Sequence, residues 1–205
     1  MAQTDDFPLD TLEHLEQAEK LKLEGKYNEA LAILETLLLE DPANISALEE
    51  VADNELSLHH FDRAEAAASE AVALDQGSYT GFYILGFLRS HEEKWTEAIG
   101  LLRKANVLQP NCGEILRCLG WALFSEGQRA QGIVTLERAL NLDPENTLTL
   151  CDLGLAYLQS RHFVKAKTLF LRSLDIEPGN LRARECLQAL ERMVNASQPL
   201  GQQTL

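Results

Sequence analysis

Four cysteines (Cys112, Cys118, Cys151, Cys186), an adjacent histidine pair (His59, His60) and the run Gly77-Ser78-Tyr79-Thr80-Gly81 are the residues of this 205-residue sequence whose types could do chemistry. A metal site or a zinc protease needs ligands at short fixed spacings such as C-x-x-C or H-E-x-x-H, and neither occurs. A nucleophile elbow needs its serine at the centre of G-x-S-x-G after a strand, whereas Ser78 sits one place early and no strand pattern precedes it. The phosphate-cradling motifs G-x-x-x-x-G-K-[ST] and G-x-G-x-x-G are also missing. The sequence therefore predicts no catalytic residues, no metal and no cofactor. Its histidines read as exposed turn residues. Its cysteines are too sparse for a disulfide scaffold, and Cys118 and Cys186, 68 residues apart, read as small packed residues.

The bulk numbers narrow the partners. A net charge of -14 lacks the basic footprint that nucleic-acid binding requires. The charge is uneven: residues 1–78 hold 19 acids and 4 bases, residues 79–205 hold 13 and 14. The start, MAQTDDFPLD, resembles no secretory signal, and no apolar run reaches membrane-spanning length. A cytoplasmic protein that uses neither membrane nor nucleic acid is the expectation, and the sequons at Asn44 and Asn195 are then chance.

What remains is a surface, and the elements that position it repeat. Pro42, Pro110, Pro144 and Pro178 lie on a 34-residue ruler whose empty tick holds Gln76. Five copies fit without insertion: 11–44, 45–78, 79–112, 113–146 and 147–180. Place eight of each copy reads Ala18, Ala52, Gly86, Gly120, Gly154, and place twenty reads Ala30, Ala64, Ala98, Gly132, Ala166. Small residues there let two helices approach closely, while Leu34, Leu102, Leu136 and Phe170 at place twenty-four fill the space beside them. Proline ends the second helix of the four copies that carry it. Asn44, Asn111, Asn146 and Asn180 suit the N-cap of the next helix. Residues 181–194 read as a capping helix, 1–10 as a leading segment and 195–205 as a disordered tail.

The pattern resembles the tetratricopeptide repeat family, carried here by Leu116, Leu119, Gly120 and Leu123 and by Ala166, Phe170 and Pro178. His14 and Gln17 in copy one, and Glu55, Ala68 and Gln76 in copy two, depart from it. The resemblance implies an all-α, right-handed superhelix (solenoid) of helix-turn-helix repeats with a capping helix. It also implies a concave groove lined by places two, five, nine, twelve and thirteen of each first helix. Those places include Glu49 and Asp53, then Tyr83 and Phe87, then Arg117, Trp121 and Phe124, then Cys151, Leu155 and Leu158. The clamp that grips an EEVD-type chaperone tail is absent: its places hold Leu15, Glu19, Glu50, Thr80 and Ile84, or, two copies on, Tyr83, Phe87, Cys118, Leu148 and Asp152.

The resulting expectation is a non-enzymatic adaptor. It binds a protein or peptide ligand, an extended segment or a helix with apolar anchors on the aromatic residues and a basic flank near Glu49 and Asp53. A chaperone for an aggregation-prone client, and a self-assembling scaffold in which the acidic end of one copy meets the less acidic end of another or Phe7 and Leu9 dock in a neighbour's groove, are the alternatives. Trp95 at place seventeen, with Tyr27, Phe61 and Phe163, reads as packing, and Trp121 as surface.

Overall fold

The computed structural model describes residues 9–196, and among them are eleven α-helices. The calls on residues 1–8 and 197–205 lie outside the described residues. First helices begin at Ile45, Tyr79, Gly113 and Thr147, second helices at Tyr27, Phe61, Trp95, Arg129 and Phe163, and the last helix, α11 (Leu181–Ala196), starts one further period on. In chain order they are α1 (Leu9–Leu23), α2 (Tyr27–Glu40), α3 (Ile45–Ser57), α4 (Phe61–Leu74), α5 (Tyr79–His91), α6 (Trp95–Leu108), α7 (Gly113–Ser125), α8 (Arg129–Leu142), α9 (Thr147–Gln159) and α10 (Phe163–Ile176). Each proline on the ruler lies two residues past the end of a second helix.

The tight turn inside each copy is made one way. Place fifteen adopts positive φ every time: Gly25, His59, Glu93, Gly127 and Arg161. The following amide then bonds the carbonyl five residues back, as in Lys26 to Leu21 (2.9 Å) and His162 to Tyr157 (2.8 Å), which closes the helix end. Two copies use glycine for this left-handed residue, and three impose it on a side chain that disfavours it. The next helix starts on a side-chain cap at Asn44, Ser78, Asn146 and Asn180, each accepting from the amide three residues on. Asn111 is a correction. It stands one residue before the capping place, takes φ 63, and accepts from Arg138, so α7 starts on Cys112 with no side-chain cap.

The small residues at place eight do what their size demands. A Cβ on Gly86 would lie 2.7 Å from Leu102 Cγ, on Gly120 2.8 Å from Leu136 Cγ, and on Gly154 2.5 Å from a Phe170 ring carbon. The close approach of first and second helix therefore depends on them. Gly132 is hemmed in by backbone rather than side chain, with the Phe124 backbone nitrogen 2.6 Å from where its Cβ would stand.

The chain forms two compact units divided between Pro110 and Asn111, where the capless junction falls. In the first, α1–α5 surround a core of Leu31, Leu34, Val51, Ile84, Leu88 and the buried alanines of α2–α4, and α6 packs on α5. In the second, α7–α11 surround Phe124, Leu136, Leu153, Tyr157, Phe170 and Leu190. Within each unit first helices pack on one another, α1 with α3 and α3 with α5, then α7 with α9 and α9 with α11.

Candidate functional site

In the first unit the candidate face is carried by α1, α3 and α5. Lys22 Nζ reaches from α1 to Glu50 Oε2 (2.7 Å) and Asp53 Oδ2 (3.1 Å) on α3. Burial opposes the lysine's charge, but the Glu50 hydrogen bond and the fields of Asp53 and Glu50 outweigh it and hold the ammonium above its usual range. Asp53 is thus already partly neutralised from within, a pairing that the expected basic flank has to compete with. Glu49 points instead at the start of α5: Ser78 donates its hydroxyl to Glu49 (2.6 Å) while accepting the Gly81 amide (3.0 Å). Desolvation raises the Glu49 carboxyl above the normal range, the Ser78 bond pulling the other way and Asp75 and Glu50 adding to the rise. Ser78, the residue of the elbow-like run, is a helix cap. Tyr83 and Phe87 are half-buried and pack on the first core while keeping an exposed edge.

In the second unit Asp152, 2% exposed, is the centre of the face. It accepts from Arg117 Nη1 of α7 (3.0 Å) and from Arg182 Nη2 of α11 (2.6 Å), tying three successive first helices together. Trp121 is half-buried, stacks on Phe124 at 6.0 Å between ring centroids and leans on the second core. Leu155 beside it is likewise half-buried.

Three expectations about this face need correction. Phe124 is 3% exposed and Leu158 5% exposed, so both belong to the core. For Phe124 the reason is Gly132, whose missing side chain brings α8 against the Phe124 backbone. Cys151, at place five, is 1% exposed, and its sulfur lies 3.5 Å from the Ser173 hydroxyl across the α9–α10 contact. Arg117 keeps its place on the face, but as half of an internal ion pair. The face therefore retains Glu49, Asp53, Tyr83 and Phe87 in one unit and Arg117, Trp121 and Leu155 in the other.

Two features escaped the sequence. The cross-helix ion pairs Lys22–Glu50/Asp53 and Arg117–Asp152–Arg182 are opposite charges on neighbouring first helices, visible only once places are aligned between copies rather than within one. Glu55, fully buried, stands where copies one and four have Leu21 and Leu123. Its carboxylate lies 2.7 Å from His60 Nδ1 and 2.8 Å from Arg63 Nη2, the latter a charge contact without hydrogen-bond alignment. His59 and His60 are exposed in the turn, as expected. Cys118 is buried and Cys186 half-buried. Asn44 uses its side chain as a helix cap and is 4% exposed, which argues against its sequon. Among the described residues, no cluster of three His, Cys, Asp or Glu could hold a metal ion, and no helix is long and apolar enough to cross a membrane.

A tetratricopeptide repeat model matches residues 119–146. The chain is 23% identical over 184 residues to the BBSome complex member BBS4 homolog of Drosophila melanogaster, covering 87% of this chain and 38% of that one. It is 28% identical over 148 residues to the cytochrome c-type biogenesis protein CycH of Pseudomonas aeruginosa, covering 68% and 36%. It thus spans little more than a third of these curated relatives. Among solved structures, the thermophilic TPR protein TTC0263 of Thermus thermophilus superposes with a TM-score of 0.70 at 20% identity, over 88% of this chain and 98% of that one. YrrB, described as a TPR protein with an unusual peptide-binding site, gives 0.61 at 20% identity, over 85% and 90%. The fold is the all-α helical repeat of these proteins. The family model covers one repeat of the chain, and the likeness of the rest is one of fold.

Proposed function

We propose that the chain is a non-enzymatic adaptor whose first-helix faces hold an apolar-anchored segment of a partner protein. A tetratricopeptide repeat fold is one of protein–protein interaction, and the observation that carries the finer reading is the set of aromatic side chains left half-exposed on first helices. Tyr83, Phe87 and Trp121 each bury one side in a core and leave the other to solvent. Half-buried aromatics are held rigid before a partner arrives, so less entropy is lost when they are covered. Carboxylates at Glu19 and Glu49, with Glu50 and Asp53 partly neutralised by Lys22, favour a basic flank on the segment bound by the first unit.

The test is quantitative binding of a partner captured from native lysate and then purified. Trp121→Ala is expected to weaken that binding by about 2 kcal/mol, as for a hot spot. Because the ring also leans on the core, some stability is lost as well, so binding is measured at a temperature well below both unfolding midpoints. Unchanged affinity for Trp121→Ala and for Phe87→Ala alike would remove the aromatic faces from the account.

A further inference from the structure

Away from the first-helix faces, the first unit has a second apolar opening, a pocket of about 340 Å³ lined by Gln76, Phe82, Arg103, Lys104, Val107 and Leu108. It is built from the turn before α5, the start of α5 and the end of α6. Val107 is 78% exposed at its lip, and the Phe82 ring beneath carries Lys104 Nζ 5.0 Å from its centroid. The charge around it runs against its surroundings. Residues 1–110 hold 22 acids and 8 bases, and five of those bases, Lys22, Lys26, Arg63, Arg89 and Lys94, are engaged by carboxylates. Among the described residues neither Arg103 nor Lys104 has a carboxylate within ion-pair distance, yet the two stand side by side on the rim of the pocket. An apolar floor with two cations at its edge that no described carboxylate neutralises fits a short segment with adjacent carboxylates next to a bulky apolar side chain.

The sequence contains such a segment: Asp5-Asp6-Phe7-Pro8, immediately before α1. We propose that this pocket receives Asp5–Pro8 of a second copy of the chain, Phe7 entering beside Phe82 and Val107, and Asp5 and Asp6 meeting Arg103 and Lys104. A short leash and the placing of the pocket on other helices favour a second copy over the chain's own segment. With α1 starting at Leu9, four residues of chain can carry Asp5 at most about 14 Å from it, at roughly 3.5 Å per residue. In this unit α1 packs on α2 and α3, whereas α5 and α6 build the pocket. One segment in one small pocket buries little area, so the association is weak, with a dissociation constant on the order of 100 µM.

Sedimentation of the full chain at about 0.15 M ionic strength, where repulsion beyond about 8 Å is screened, provides the test. Because each chain offers one segment and one pocket, the contact is head-to-tail and open, and the weight-average mass is expected to rise from near the 22.9 kDa of one chain at roughly 10 µM to more than about twice that value at roughly 1 mM. Phe7→Ala lacks the anchor, and the doubly reversed Arg103→Glu, Lys104→Glu lacks the rim; each alone is expected to stay monomeric. Mixed together, they are expected to associate, because the first variant keeps the pocket and the second keeps the segment. A wild-type chain that stays monomeric throughout, variants that associate as well as wild type, or a mixture that stays monomeric would each overturn the proposal.

Discussion

The two units are built on one repeat and differ almost entirely in charge. Residues 1–110 carry net -14, while residues 111–205 carry 10 acids and 10 bases. Both tie their first helices together with ions, but by opposite means. In the first unit a lysine whose side chain is 20% exposed reaches two carboxylates that are 29% and 37% exposed; in the second, two arginines close on an aspartate side chain that is 3% exposed. Packing, set by the small residues at places eight and twenty, is indifferent to this choice, so the face is free to vary while the scaffold is not. What the scaffold requires is close helix approach, and the charge on the face is left free to differ between the units.

The largest expected effect falls on the shared scaffold. Gly132→Ala places a Cβ against backbone, where nothing can swing aside, and should cost about 3 kcal/mol or more in urea denaturation. Gly25→Ala, with open space around the new Cβ, is expected to lose only the advantage of glycine at positive φ, about 1 kcal/mol. Similar losses at the two sites would mean that helix approach is not what glycine supplies.

Next comes the contrast between the ion networks. Asp152→Ala removes the buried carboxylate that the mostly buried Arg117 meets at 3.0 Å, leaving Glu114 at 3.9 Å, and should cost about 3 kcal/mol, whereas Glu50→Ala in the more exposed lysine network should cost about 1 kcal/mol or less. Urea midpoints of the two variants provide the comparison, and a reversed order would undo the distinction between the units.

A smaller effect concerns Glu49. Its folded-state carboxyl is raised, so the folded chain holds this proton more readily than the unfolded chain does. Ionising Glu49 therefore works against folding as pH rises through the folded value, and the group favours folding as pH falls. Glu49→Gln is expected to gain about 0.5 kcal/mol at neutral pH and to lose that advantage below the carboxylate range, as read from urea midpoints at the two pH values. An equal gain at both would show that the carboxyl's charge is not the cause.

The smallest expected effect is at the turns. His59→Gly and Arg161→Gly relieve a left-handed backbone at a cost in chain entropy, for a net gain of about 0.5 kcal/mol each by thermal denaturation. A loss in both would show that the side chains there contribute more than the strain costs.

Much of the fold was legible because a 34-residue period is a local property: proline, the small residues and the apolar knobs each declare their place without reference to any other copy. Helix starts at Ile45, Tyr79, Gly113, Thr147 and Leu181 fall where that ruler puts them. The face was less legible, because exposure is a relation between copies. Phe124 and Leu158 share a place with Lys22, Leu56 and Ser90, and only the depth of packing against α8 and α10 decides which of them is covered. Asn111 shows the same limit at one-residue scale, its type suiting a cap and its position denying it. Asp152 looked like a departure from a clamp and proved to be the partner of two arginines.

The central claim is that partner contact runs through the first-helix faces. The most direct measurement is photo-crosslinking in native lysate, with a benzophenone amino acid placed singly at Leu12 or Leu148 on first helices and at Leu39, Val134 or Val164 on second helices, all of them exposed. A discrete crosslinked partner at the first-helix positions, with none at the second, is the predicted result. Crosslinks confined to the second helices, or equal at both sets, would contradict it.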